Sequence, residues 1–339
     1  MRCRDVAACS LTDRRSMALS PVDGRHVPGN RRAPQNSQWT SALSSERGGG
    51  QAAPRVHQQP HSYRHKHGAP VSLWVFRGLR DGVVTTRWPK RPDAYADGWR
   101  GPAVVRDPDP ADTAGLSDLC PTNAIAVNHG GRPGRVRLDQ GRCILCGWCV
   151  GARPDVFAWS AGATGPRASA LTRDRLVVPD VQETDEALAA VRASLRQRTA
   201  ALRRSVHIRH VDAGSDGSDE WEILALLGPV YDIHRLGIFF TPSPRHADVL
   251  LVTGAGSTGM AGPLRTTYDG MPDPKVVVAA GTDAVSGGLL GQSDMTLGGI
   301  SDVVPVDVWL PGSPPSPFGI LSALLLAVGR LGDGREETR

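Results

Sequence analysis

Asp248-Val-Leu-Leu-Val-Thr253 runs directly into Gly254-Ala-Gly-Ser-Thr-Gly259 and on toward Tyr268. Val249 to Val252 has no polar break, so a strand there is buried on both faces, as in parallel sheets covered by helices on either side. Working outward, His207-Ile-Arg-His-Val211, Leu236 to Phe240 and Lys275 to Ala280 are further runs of strand length, and Glu220 to Leu227 and Ser257 to Tyr268 read as helices. This alternation predicts an α/β, flavodoxin-like domain with a parallel sheet over residues 206–332. It closes with Val304-Pro-Val-Asp-Val-Trp-Leu310, the rigid loop Pro311-Gly-Ser-Pro-Pro-Ser-Pro317, and a buried helix from Phe318 to Val328. That helix is the longest apolar stretch and falls short of the ~18 residues a membrane span needs.

Gly254, Gly256 and Gly259 make a G-x-G-x-x-G between strand and helix, with Asp283 ending the next apolar run. That context suits a dinucleotide fingerprint. Against it, the strand is not the first of its domain, and Gly262-Pro263 interrupts the helix that would cradle a pyrophosphate. Dinucleotide binding is kept as the weaker alternative.

Upstream, Cys143, Cys146 and Cys149 form a Cys-x-x-Cys-x-x-Cys run, and Cys120-Pro121 stands apart. In two-cluster ferredoxins the run is C-x₂-C-x₂-C-x₃-C-P, and its fourth cysteine ligates the other cluster. Here that spacing puts Pro110, Thr113 and Leu116 where three partners of Cys120 would be, and Arg153 where the fourth of the downstream run would be. The four survivors are one complete thiolate set, and the lost four would have built a second. A structural zinc site more often uses two separated cysteine pairs. A disulfide framework suits short secreted chains, not six cysteines in 339 residues without an apolar signal segment. Residues 101–178 are therefore expected to be an α+β ferredoxin-like domain with one 4Fe–4S cluster on Cys120, Cys143, Cys146 and Cys149. Arg153 beside it is expected to raise its potential. Cys3 and Cys9 have no structural role in this reading.

Residues 1–70 hold 11 Lys and Arg against 4 Asp and Glu, and the rest of the chain 28 against 30. The basic charge thus sits in a head without apolar periodicity, expected to be disordered, which removes the nucleic-acid reading. His61, His65 and His67 with Arg64 and Lys66 read as a solvated tail before a metal or phosphate site. Residues 71–100 place Trp74, Leu79 and Val83 among Arg77, Arg80 and Arg87, an amphipathic segment for docking on a partner or membrane surface, or for packing on the cluster domain. Residues 179–205 read as a linker helix, Thr184 to Ser205, with Leu188, Val191, Leu195 and Leu202 on one stripe. Residues 333–339 are a tail.

His207-Ile-Arg-His-Val-Asp-Ala-Gly-Ser-Asp-Gly-Ser-Asp-Glu-Trp-Glu-Ile223, Ser243 to Gly254, Gly262-Pro-Leu264, Met271-Pro-Asp-Pro-Lys275, Pro305-Val-Asp-Val308 and Pro311 to Pro317 occur in order. Together they resemble the complex I subunit-B family, and more closely the small subunit of group 4 nickel–iron hydrogenases of the formate hydrogenlyase type. Leu73 to the cysteines resembles the ferredoxin subunit of the same complexes, joined here in one chain. The resemblance implies a large subunit and membrane subunits as partners, and a cytoplasmic place peripheral to the membrane. It also implies a terminal 4Fe–4S cluster on four cysteines, at positions where this chain has Asp216, Asp219, Asp283 and Ser313. None supplies the soft sulfur such a cluster prefers. Three carboxylates suit a hard cation instead, or are simply tolerated in a solvated loop. His207, Arg209 and His210 are the local candidates to offset their charge. The expected function is an iron–sulfur electron-transfer subunit of a hydrogenase-like or NADH–quinone-oxidoreductase-like complex, without catalytic residues of its own. The alternative is a non-redox scaffold subunit of the same assembly.

Overall fold

The computed structural model describes residues 74–331 apart from 92, 94–99, 128–133, 162–169, 180–184, 201 and 203–204. The head with its histidines, Cys3 and Cys9, and the tail lie outside the described residues. In chain order the elements are α1 (Trp74–Asp81), β1 (Arg100–Val105), β2 (Ile125–Val127), β3 (Val136–Asp139), α2 (Trp148–Ala152), β4 (Phe157–Ala161), β5 (Val177–Val178) and α3 (Asp185–Arg198). They continue with β6 (Val206–Asp212), α4 (Ser218–Ala225), β7 (Ile238–Phe240), β8 (Val249–Thr253), α5 (Thr258–Asp269), β9 (Val276–Ala280), α6 (Thr282–Ser286), β10 (Val308–Leu310) and α7 (Pro317–Ala327).

Strand β8 is buried at every position and lies at the centre of a five-stranded sheet ordered β10-β9-β8-β6-β7. Every neighbouring pair is parallel. Val249 and Leu251 face one core with Ile208, Val276, Val278 and α7, while Leu250 and Val252 face the other with Val277, Ala279, Leu264 and Val285. Helix α7 is buried at all positions but Leu326, as a helix that is apolar all round must be. Its start follows from Pro317 at the first position and from Ser316, whose side chain accepts from the Gly319 N–H.

The elements depart from the sequence expectations at two ends, while β10 runs from Val308 with the Asp307 N–H already on the Val277 carbonyl at 2.9 Å. Strand β7 starts after Gly237, whose φ of +69° ends a 3₁₀ turn. Helix α3 stops at Arg198, not Ser205, where the Thr199 hydroxyl bonds the Leu195 carbonyl at 2.8 Å. Leu195 and Leu202 still reach the sheet core, but Val191 is exposed.

The cysteine-bearing region has an antiparallel pair, β1-β4, and a three-stranded antiparallel sheet, β2-β3-β5. Its smaller core gathers Ala103, Leu116, Ile125, Val136, Leu138, Val156 and Phe157. Arg173 grips Asp139 at the end of β3 through two parallel bonds of 2.7 and 2.6 Å.

The sheet core is not confined to residues 206–332. Trp88 is buried in it, edge-on to Phe318 at 6.0 Å, and the Thr86 N–H bonds the Val230 carbonyl. Ala170 exchanges two backbone bonds with Trp309, and Leu171 joins the same core as Trp88. Helix α1 leaves Phe76 and Leu79 exposed.

Candidate functional site

Cys120, Cys143, Cys146 and Cys149 line one small pocket, partly open to solvent, with Ala103, Leu119, Ala124, Leu138, Ile144 and Trp159 as apolar walls. Cys143 and Cys146 come from the loop between a 3₁₀ turn at Gln140–Arg142 and α2, and Cys149 from the first turn of α2 itself. That loop turns through two left-handed residues, Leu145 and Gly147. A Cβ on Gly147 would meet the Trp159 ring at 2.9 Å, so only glycine closes this turn against β4. Cys120 is aimed by the Ala124 N–H and the Thr122 hydroxyl, each 3.3 Å from its sulfur. The same hydroxyl donates to the Arg142 carbonyl at 2.6 Å, fastening Cys120 to the other three.

Cys143 and Cys149 are buried, Cys120 is half-buried and Cys146 exposed, and all four are free thiols. Burial, then the neighbouring Cys143, pushes the Cys149 thiol up to about 11. Burial also raises Cys143, against backbone bonds from Ala103 and Leu145 that favour its thiolate. Four sulfurs that repel one another's charge in an apolar pocket are a donor set in want of a cationic centre. Among the described residues no three His, Cys, Asp or Glu side chains converge on a single ion. A zinc ion would draw all its sulfurs to about 2.3 Å from one point. A 4Fe–4S cluster takes thiolates on separate irons, and the four cysteines fit that donor set.

The positions of a second thiolate set are filled otherwise. Leu116 is 1% exposed within the small core. Arg153 turns to Asp155, with bonds of 3.0 and 2.8 Å, and to the Asp112 carbonyl at 3.2 Å. Its side chain does not line the cysteine pocket and pairs with Asp155 at 2.8 Å, while its N–H bonds the Cys149 carbonyl at 2.9 Å.

Asp216 and Asp219 follow the end of β6, Asp283 the end of β9, and Ser313 the end of β10, so all four sit at the carboxyl edge of the parallel sheet. Asp216 is exposed and held low by the Ser218 hydroxyl and N–H at 2.6 and 2.9 Å. Asp219 is buried over the Cα of Gly281, where any Cβ would collide with its carboxylate. Burial, then Asp283, pushes its pKa up to about 8, and burial raises Asp283 as well. The carboxylates do not converge on one point, so they are not a cation site as they stand. Nor do the proposed basic neighbours reach Asp219. His207 lies at the opposite end of β6, against Asp248 at 3.7 Å. His210 is 3.6 Å from Glu220 and bonds Thr253, and Arg209 is not among the charges that act on Asp219.

The glycine loop serves the chain itself. A Cβ on Gly254 would stand 2.6 Å from the backbone of Gly214 and Ser215, and one on Gly256 would collide with the Gly299 carbonyl. The N–H groups of Ala255, Ser257 and Thr258 bond the carbonyls of Gly214, Ala213 and Met295. A pyrophosphate would find those donors spent, so the dinucleotide reading of Gly254, Gly256 and Gly259 falls away.

Thr282, which the sequence did not single out, joins the two sites. Its hydroxyl donates to the Cys143 carbonyl at 3.0 Å and accepts from the Gly312 N–H at 3.1 Å. The only sequence signal was a small polar residue after a strand and Gly281, with nothing to name its partner.

The family model for the 20 kDa subunit of NADH ubiquinone oxidoreductase matches residues 217–327. Formate hydrogenlyase subunit 7 of Escherichia coli is 39% identical over 159 residues, 47% of this chain and 61% of that protein. A probable membrane-bound hydrogenase subunit of Pyrococcus furiosus is 39% identical over 144 residues, 41% of this chain and 86% of that protein. A chain in the structure of the membrane-bound sulfane sulfur reductase, an archaeal respiratory membrane complex, aligns with 41% of this chain and 76% of its own at 29% identity and a TM-score of 0.34.

Proposed function

Since the chain belongs to the family of the NADH ubiquinone oxidoreductase 20 kDa subunit and the membrane-bound hydrogenase subunits like it, we propose that it is an electron-transfer subunit of such a membrane-associated complex. In this reading Cys120, Cys143, Cys146 and Cys149 hold one 4Fe–4S cluster in a ferredoxin-like domain fused ahead of the family's α/β domain. Bound there, the cluster would supply one-electron transfer at a site with no acid–base task. The chain's own residues bind it, wall it with apolar side chains and leave an open edge at Cys146. The observation that carries this is the single pocket lined by four cysteines from two chain segments. Partners would be a hydrogenase-like or complex-I-like large subunit and membrane subunits, with the chain peripheral to the cytoplasmic face. No helix among the described residues is long and apolar enough to cross a membrane.

Anaerobic reconstitution should load about four irons per chain, and redox titration of the intact complex should show that cluster reduced during turnover. About eight irons would mean a second site, and none would remove the reading. The carboxylates where the resemblance implies terminal ligands favour a second reading, a scaffold whose cluster only staples its domain. A cluster that stays in one redox state throughout turnover would select it.

A further inference from the structure

Helix α1 and the run behind it stand clear of the body that carries them. Every position from Phe76 to Val84 is exposed. Phe76, Leu79 and Val83 are 67, 75 and 80% exposed, a large apolar surface to leave in water. Phe76 and Leu79, three residues apart, share one face of the helix, and Arg77 and Arg80 lie together on the flank beside it. Gly82, at a φ of +66°, ends the helix with its N–H on the Gly78 carbonyl and turns the chain into Val83. Thr85 and Thr86 then fasten the stretch to the sheet domain. The Thr85 hydroxyl donates to the Pro229 carbonyl at 2.7 Å, and the Thr86 N–H to the Val230 carbonyl at 2.8 Å. Val230 is itself exposed, so the apolar surface carries on from Val84 onto that domain. Between Trp74 and Arg91 the cations are Arg77, Arg80, Arg87, Lys90 and Arg91, all exposed, and the one acid is Asp81. The chain beyond residue 70 holds 28 basic against 30 acidic residues, so this excess is local.

We infer that this stretch docks directly on an anionic phospholipid bilayer. The inference deepens the subunit reading, in which the membrane is reached only through partners, and rests on it for a membrane to be at hand. Apolar side chains on one face with cations on the flank suit a surface where depth separates the two. Phe76 and Leu79 enter the acyl boundary while the guanidiniums stay at the phosphates. Two turns of helix are too short to cross, so α1 lies flat. Cations repeated against a single acid address a surface that is negative throughout, whereas a protein partner is matched site by site with charges of both signs. Five of them in one short run are enough for a basic cluster to hold anionic lipid. The fastening at Thr85 and Thr86 then gives the sheet domain a fixed orientation on the bilayer.

The test is flotation of the full-length chain with vesicles of phosphatidylglycerol and phosphatidylcholine, against vesicles of phosphatidylcholine alone. The chain should float with the anionic vesicles and stay behind with the neutral ones. Phe76→Ser/Leu79→Ser and Arg77→Gln/Arg80→Gln should each weaken vesicle binding about tenfold, while Trp221→Ser, at an equally exposed position on α4, should not. All these side chains are exposed, so the variants keep the fold. Undiminished binding by the first two variants overturns the proposal, because the basic residues 1–70 would then hold the vesicles. In native membranes a photo-crosslinking group at Leu79 should give lipid adducts, and an adduct to a neighbouring subunit would overturn the proposal in favour of a protein interface. A wild-type chain that stays off anionic vesicles yet co-purifies with its partner subunits loses the lipid contact and keeps the subunit reading. One that brings no partner from its own membranes loses both.

Discussion

Two loop clusters meet at Thr282, and they carry different things. The cysteine pocket has all four donors but a small core of short antiparallel strands. The carboxylate cluster has no thiolate, and its loops sit on a five-stranded parallel sheet with a core on each face. A large core holds its loops in place whatever their side chains ligate. A small one depends on what its cysteines bind, because little apolar surface is buried there. The comparison teaches that loops on a large sheet core need no ligand to hold them, whereas loops on a small core gain most from one.

The largest expected effect breaks the comparison on the cysteine side. Cys149→Ala should take iron from about four per chain to nearly none. Hydrogen exchange should then speed up in β2, β3 and β5 while β8 and β9 keep their protection. Equal loss in both regions would show one cooperative core instead of two.

Next comes Asp219→Asn. With a folded pKa of about 8 against an ordinary 3.8, Asp219 is the raised kind of group. Its contribution is fully present below about pH 4 and is lost as pH rises through about 8. The isolated wild-type chain should therefore weaken by roughly 3–5 kcal/mol across that window, and the Asn variant should not. Denaturant midpoints at pH 5 and 8.5 measure it, and parallel curves for the two proteins would refute the burial of an unpaired carboxyl.

Thr282→Val sharpens the comparison at the seam. It deletes the bond to Cys143 and leaves the Gly312 N–H without its acceptor, at about 1–3 kcal/mol. Iron content should hold, while exchange should rise at Cys143 and Gly312 together. A change at only one of them would mean the two sites are not joined through this side chain. The smallest effect is Arg153→Ala. Asp155 already offsets that guanidinium, so the potential of the reconstituted cluster should not shift measurably, and a clear drop would restore Arg153 as a tuning residue.

The sequence was most legible where one kind of physics acted alone. Uninterrupted runs such as Val249 to Val252 place the sheet because burial on both faces forbids polar residues, and cysteine spacing places the thiolates because one short loop carries three of them. Legibility failed where the answer lay far along the chain. Thr282 meets Cys143 across 139 residues, and no local pattern encodes that. It failed again where two uses share one motif. Gly254 and Gly256 are glycines for close backbone approach in either reading, and only the neighbours decide whether a phosphate or Gly299 makes the approach. The basic residues of β6 were misplaced for a simpler reason. A strand advances about 3.3 Å per residue, so His207 stands far from the edge where Asp219 lies.

Trp88 and Ala170 carry a consequence for anyone who cuts this gene. Both touch the sheet assembly, and the cysteine-bearing stretch runs between them, so the chain visits the larger body, leaves, and returns. The smaller lobe is thus nested, like a clause in parentheses. Its two ends are pinned, so it cannot swing as a bead on a tether, and the entropy of finding its neighbour is largely removed in advance. A fragment begun at residue 206 would lose Trp88, Leu171, Leu195 and Leu202 and bare the flank of Phe318. A cut at residue 170 would not free the lobe either, because Arg173 and β5, which hold Asp139 and β3, follow Ala170.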